Sequence, residues 1–103
     1  MYLRQLEQFV TLAEVLNFRR AAERLNMAQP PLSVSMRKLE ERLGVELFDR
    51  RGRSVTLTEA GREALEEARK VLFHAGEMAR RARAAAPAPH GHARSAFADF
   101  WVL

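Results

Sequence analysis

The stretch FRRAAERLNMAQPPLSVSMRKLEERL, residues 18–43, decides the fold. Its first part places Phe18, Ala21, Ala22 and Leu25 at helical spacing, and Asn26 and Met27 interrupt that pattern ahead of Pro30 and Pro31. Proline is accommodated in the first turn of a helix, where its missing N–H would have no intrahelical partner, so a second helix is predicted to start near Gln29. Leu32, Met36, Leu39 and Leu43 fall in one narrow sector of that helix and form its core stripe. The opposite sector carries Pro30, Val34, Arg37 and Lys38, with Gln29 and Ser33 on its flank. Two short helices joined by so tight a break make a helix-turn-helix, whose second helix lies in the major groove of DNA and turns its N-terminal residues to base edges.

Working outward, Leu3, Leu6, Val10 and Ala13, flanked by Phe9 and Leu16, predict a first helix ending near Asn17. Gly44 follows Leu43, where a left-handed cap costs glycine least, so the second helix of the motif stops there. Leu47-Phe48 and Val55-Thr56-Leu57 are β-prone and enclose the basic, glycine-containing run 49–54, which reads as a short hairpin, a wing. Thr58 offers a side-chain cap to a long helix predicted from Glu59 to about Ala86, roughly 42 Å at the usual rise. Along it Leu65, Ala68, Leu72, Ala75, Ala79 and Ala82 recur at spacings of three and four, widened by Ala64, Val71 and Met78. A helix this long outruns so small a domain, so part of the seam is expected to meet a partner chain; packing of the whole stripe on its own domain is the alternative. Ala86 precedes Pro87, which ends the helix. The fold expected is mainly α: a winged helix-turn-helix of three helices and a two-stranded wing over 1–58, a dimerisation helix over 59–86, and a tail over 87–103, disordered or non-native, that founds no domain.

The 103 residues suffice for one modest core, and the net charge of +4 favours a polyanionic partner without requiring one. The absence of cysteine removes disulfides and thiolate metal sites and is compatible with a reducing cytoplasm. No apolar run is long enough to span a membrane, and the N-terminus lacks the pattern of an export signal. The carboxylates lie mostly on helical polar faces among Arg and Lys, and neither a nucleophile–base constellation nor a glycine-rich phosphate loop is present, so no catalytic site and no cofactor are assigned. His90 and His92 read as solvated tail histidines rather than metal ligands.

Gln29 can pair bidentately with adenine, Ser33 can donate or accept, and Pro30 and Val34 offer apolar contact to thymine methyls. Arg37 and Lys38, further along, suit phosphates. Arg50, Arg51 and Arg53 put three cations within four residues of a flexible tip, suited to a phosphate backbone or minor groove. The bland alternatives are a helix-start residue for Gln29 and solvated surfaces for the cations.

Leu3-Arg4-Gln5-Leu6, Arg20-Ala21-Ala22-Glu23-Arg24-Leu25, Gln29-Pro30-Pro31-Leu32-Ser33, Leu47-Phe48-Asp49-Arg50 and Leu57-Thr58-Glu59-Ala60-Gly61 together resemble the LysR-type transcriptional regulators of bacteria, in order and at that family's spacing over about residues 1–86. The resemblance implies a homodimer joined through the linker helix, with tetramers in full-length forms, binding an imperfect inverted repeat in double-stranded promoter DNA in the cytoplasm. It implies base contacts at Gln29, Pro30, Pro31 and Ser33, a minor-groove contact at Arg50, and a further wing contact at Arg53. Ala28 stands where the family usually has Ser or Thr, an expected loss of about 0.5–2 kcal/mol of capping. Val34 and Ser35 depart from the family's usual residues, so a base preference cannot be borrowed. The family continues into an effector-binding domain of two α/β lobes, whose opening strand the residues after Pro89 do not resemble; the sequence is expected to lack an inducer response. Two other readings remain open at this point: an interaction module that pairs through its long helix, and a different winged-helix family.

Overall fold

A computed structural model describes residues 2–87. The apolar finish of the chain, the two tail histidines and nearly all of the expected 87–103 tail lie outside the described residues. Four helices and one hairpin follow in order: α1 (Leu3–Val15), α2 (Phe18–Arg24), α3 (Gln29–Leu43), β1 (Phe48–Asp49), β2 (Thr56–Leu57) and α4 (Glu59–Ala85). This is the winged helix-turn-helix with a long terminal helix that the periodicity predicted.

The breaks between helices are set by single residues. Leu16 ends α1 in the left-handed region (φ 54°), and Asn17 then caps α2, its side-chain oxygen accepting from the Arg20 amide at 2.9 Å. Asn26 supplies the left-handed residue of the turn (φ 55°), a conformation asparagine tolerates better than most side chains. Ala28 precedes α3 in extended conformation and makes no side-chain cap. The expected energetic loss at this position is corrected by the two prolines. A capping side chain accepts from the second or third helical amide, and here Pro30 and Pro31 occupy those positions and have no N–H. Gly44 closes α3 at φ 73°, its amide reaching the Glu40 carbonyl at 2.8 Å.

The core gathers Phe9 and Leu12 of α1, Leu32, Met36 and Leu39 of α3, and Leu47 and Phe48 of the wing, all fully buried, with Ala21, Ala22 and Ala68 closing its sides. Phe48 meets Phe9 edge-on at 5.6 Å between ring centroids, fixing the root of the wing to α1. A polar seam aligns α3 on α1: the Ser35 hydroxyl donates to Gln8 Oε1, and Gln5 Nε2 donates to the Ser35 carbonyl at 3.3 Å.

The hairpin is antiparallel, pairing Phe48 with Leu57 and Asp49 with Thr56. It passes straight into α4 through Thr58, whose amide donates to the Leu47 carbonyl at 3.0 Å and whose hydroxyl both accepts from the Gly61 amide at 2.9 Å and donates to the Glu46 carbonyl at 2.6 Å. Gly61 is required by this junction, because a Cβ there would overlap the Leu47 carbonyl oxygen and lie 2.9 Å from Leu57 Cδ2.

Two stability predictions arise here. Gly61→Ala should destabilise the chain by about 3 kcal/mol, because the obstacle is backbone and not a yielding side chain; a denaturant midpoint equal to that of the parent would contradict this. Ala28→Ser should change stability by less than about 0.5 kcal/mol, well below an ordinary cap gain, as read by thermal or urea unfolding.

Candidate nucleic-acid interface

On α3 the four-residue repeat generates two neighbouring outward rows: Gln29, Ser33 and Arg37, then Pro30, Val34, Lys38 and Arg42. The stripe Leu32, Met36 and Leu39 turns the other way into the core, whereas Leu43, expected to continue it, is 42% exposed where α3 ends at Gly44. Gln29, Pro30, Pro31, Arg37 and Lys38 are exposed and Ser33 is half-buried. Val34 is 51% exposed, an apolar side chain that folding leaves in water. Each residue named from the sequence as a base reader or helix cation therefore lies on the open side of α3.

The first row faces the wing. Gln29 shares a groove of about 320 Å³ with Asn17 and Arg19 at the start of α2 and with Arg53 and Ser54 at the wing tip. Sequence reasoning did not single out Arg19. Its signal was its exposed place in the first turn of α2, two residues after the capping Asn17.

The three wing arginines differ in a way their adjacency conceals. Two of the three are tied to acids within the described residues. Arg51 closes a two-pronged pair on Asp49, Nε to Oδ1 at 3.0 Å and a second guanidinium nitrogen to Oδ2 at 2.9 Å, with its own amide on Oδ1 at 3.0 Å. These bonds hold the Asp49 carboxyl down to about 2. Arg50 folds back from the tip. Its guanidinium donates to Glu40 Oε1 at 2.9 Å and Oε2 at 3.3 Å, and it lies 5.6 and 5.8 Å from the ring centroids of Phe18 and Phe48. Only Arg53, among these three, has no ion pair among the described residues.

Glu40 is the functional residue that sequence reasoning missed. It is buried in the last turns of α3, where its carboxylate also accepts from the Leu47 amide at 2.8 Å and the Phe48 amide at 3.2 Å. Burial acts to raise its pKa and is the largest single influence, but the Arg50 hydrogen bond, the two amides and the Arg50 charge together outweigh it, so the carboxyl sits below its ordinary range. The signal was positional: Glu40 falls four residues after Met36 and three before Leu43, on the apolar stripe, where an acid needs a partner.

On α4 the seam is partly consumed by the chain itself. Ala68, expected at a dimer interface, is buried in the core, and Leu65 packs against the same cluster, because the N-terminal turns of α4 must cover α1 and the root of the wing. Leu72 lines a groove with Val10, Thr11 and Leu25, Ala75 is half-buried and Ala79 is buried. The large apolar side chains that α4 leaves exposed are Val71, Phe73 and Met78. Val71 borders an apolar groove of about 190 Å³ formed with Leu6, Leu39, Leu43 and Ala64. Among the described residues no group of acids and histidines is placed to hold a metal, and no helix is long and apolar enough to cross a membrane.

Residues 3–62 match the bacterial regulatory helix-turn-helix proteins of the lysR family. The chain belongs to that family. Its relatives include the HTH-type transcriptional regulator XapR of Escherichia coli (strain K12), 50% identical over 76 residues that make up 74% of this chain and 26% of XapR. The chain thus spans about a quarter of the length of that relative. The same fold occurs in the CbnR_DBD–DNA complex, with a TM-score of 0.79 and 46% identity over 82% of this chain and 98% of that one. It occurs also in the complex of BenM_DBD with catB site 1 DNA, with a TM-score of 0.81 and 38% identity over 87% of this chain and all of that one. The lysR family consists of transcriptional regulators, and its helix-turn-helix coincides here with α2 and α3.

The Glu40–Arg50 pair yields a prediction for this lysR-type domain. Glu40→Ala should cost about 3 kcal/mol, since it leaves a partly buried guanidinium and two amides without their acceptor. Glu40→Gln should cost less, and its deficit should shrink in acid. A carboxyl with a depressed folded-state pKa stabilises fully above its unfolded value, 4.5, and loses that contribution as pH falls through the folded value. Urea titrations of both proteins across that window check the sign; a deficit that grows on acidification would contradict it.

Proposed function

We propose that this chain is a sequence-specific, dimeric reader of double-stranded DNA, the DNA-binding module of a bacterial LysR-type regulator acting in the cytoplasm at a promoter with an imperfect inverted repeat. The reading is carried by one observation: Gln29, Pro30, Pro31 and Val34 stand exposed on α3 beside a groove that also holds Arg19 and Arg53. In the major groove Gln29 and Ser33 read base edges, Pro30, Pro31 and Val34 pack on thymine methyls, and Arg37 and Lys38 meet phosphates. Arg53 reaches the minor groove or its backbone, joined by Arg51 when its clamp on Asp49 opens. Arg50 serves the wing by holding it to α3. The relatives with this fold that were solved with DNA support the assignment, and catalysis has no part in it.

Dimerisation uses α4, with Val71 and Met78 as the apolar side chains available to a second copy and Leu72 and Ala75 flanking them.

The test is selection from a pool of random duplexes followed by sequencing, with affinity read by fluorescence anisotropy. A two-fold-related motif is expected. Gln29→Ala should relax the preference at one position of each half-site, at a cost of about 1–3 kcal/mol. Weak binding with no sequence enriched would refute the proposal, and an unchanged motif for Gln29→Ala would remove the role of that residue as a reader.

A further inference from the structure

The second row of α3 borders a groove from which the base-reading assignment takes Pro30, Pro31, Val34 and Lys38 but leaves Tyr2 and Arg42 without a role. It is about 590 Å³ in volume and lies between Pro31, Val34, Lys38 and Arg42 of α3 and Tyr2 and Gln5 at the start of α1. No acidic residue lines it, and among the described residues neither Lys38 nor Arg42 is joined to a carboxylate. The Arg42 guanidinium lies 5.8 Å from the centroid of the Tyr2 ring, close enough for a cation–π contact. Tyr2 is itself 60% exposed, so core packing does not account for the ring's position.

A helix is about 10–12 Å across and the major groove about 12 Å wide, so a helix lying in it has a phosphate backbone on each side. On the side facing the wing lie Arg37 and Arg53, assigned above to the DNA backbone, and Arg19, which lines the same groove as Arg53. We propose that the groove on the α1 side grips the other DNA strand, with Lys38 and Arg42 as phosphate anchors and Tyr2 as the positioning residue that holds the Arg42 guanidinium outward. This rests on the DNA-binding reading above and adds a second backbone contact to it. A guanidinium already oriented by a ring surrenders less side-chain freedom on meeting a phosphate.

Arg42 also lies in the last turn of α3, where a cation can serve the helix end alone. That role would appear as lost thermal stability, not as a change in salt dependence. The experiment is anisotropy of the whole chain on a labelled mixed-sequence duplex over a range of salt concentrations, with circular-dichroism melts alongside. Arg42→Gln should lower the slope of log affinity against log salt by about 0.9 per bound copy and leave the melting temperature unchanged. Tyr2→Phe, which keeps the ring, should bind like the parent, and Tyr2→Ala should weaken binding several-fold. A parental slope for Arg42→Gln, or equal binding by Tyr2→Ala and Tyr2→Phe, overturns this proposal while leaving the DNA reader standing. If the parent itself binds duplex without salt dependence, both fall.

Discussion

The Glu40 carboxylate joins the two parts of the domain that a DNA reader must hold in register. One oxygen accepts the Leu47 and Phe48 amides where the chain enters the wing, and both oxygens engage Arg50 just beyond β1. A buried acid is costly alone and acceptable when its lone pairs are filled. With four donors converging on it, Glu40 converts that cost into a geometric tie between the last turns of α3 and the root of the hairpin. Phe18 and Phe48 flank the Arg50 guanidinium, so α2 joins the same tie. The hairpin has only two paired residues in each strand, too few to stand alone. Its position relative to the recognition helix is therefore set by this cluster and by the Thr58–Gly61 junction on its other side.

That arrangement sorts the charges of the domain by task. Arg50 is spent on architecture and Arg51 is held by Asp49, whereas Arg53 and Arg19 remain available on the groove beside Gln29. The formal charge of +4 is a poor guide to this division, since it counts a partly buried structural arginine and an exposed unpaired one alike. The exposed pairs Arg24–Glu14 and Arg69–Glu14 join α1 to α2 and α4, but pairs so open to water contribute little. What fixes α4 is burial of Ala68 and Leu65, reinforced by the close approach of Gly61 to the Leu47 carbonyl.

Periodicity and punctuation alone determined much of this protein. The three- and four-residue spacing of apolar positions marks each helix, Asn17, Asn26 and Gly44 mark the breaks, and the prolines mark the start of α3, because these signals act within one or two turns of chain. The open face of α3 followed from the same spacing, as the complement of the stripe Leu32, Met36 and Leu39. The β-prone pairs on either side of the basic run 49–54 placed the wing, and the Thr58 cap with the seam from Leu65 to Ala82 placed the long helix. Tertiary structure decided which charged groups meet. Glu40 and Arg50 are ten residues apart across a helix end and a strand, and no local rule says that this acid turns inward or that this arginine, unlike Arg53, folds back to it. It decided too that Ala68 belongs to the core while Val71 stays exposed, since the seam of a long helix is divided by whatever surface the rest of the fold offers. Faces are local properties of a helix or strand, whereas pairing requires the chain to have returned on itself.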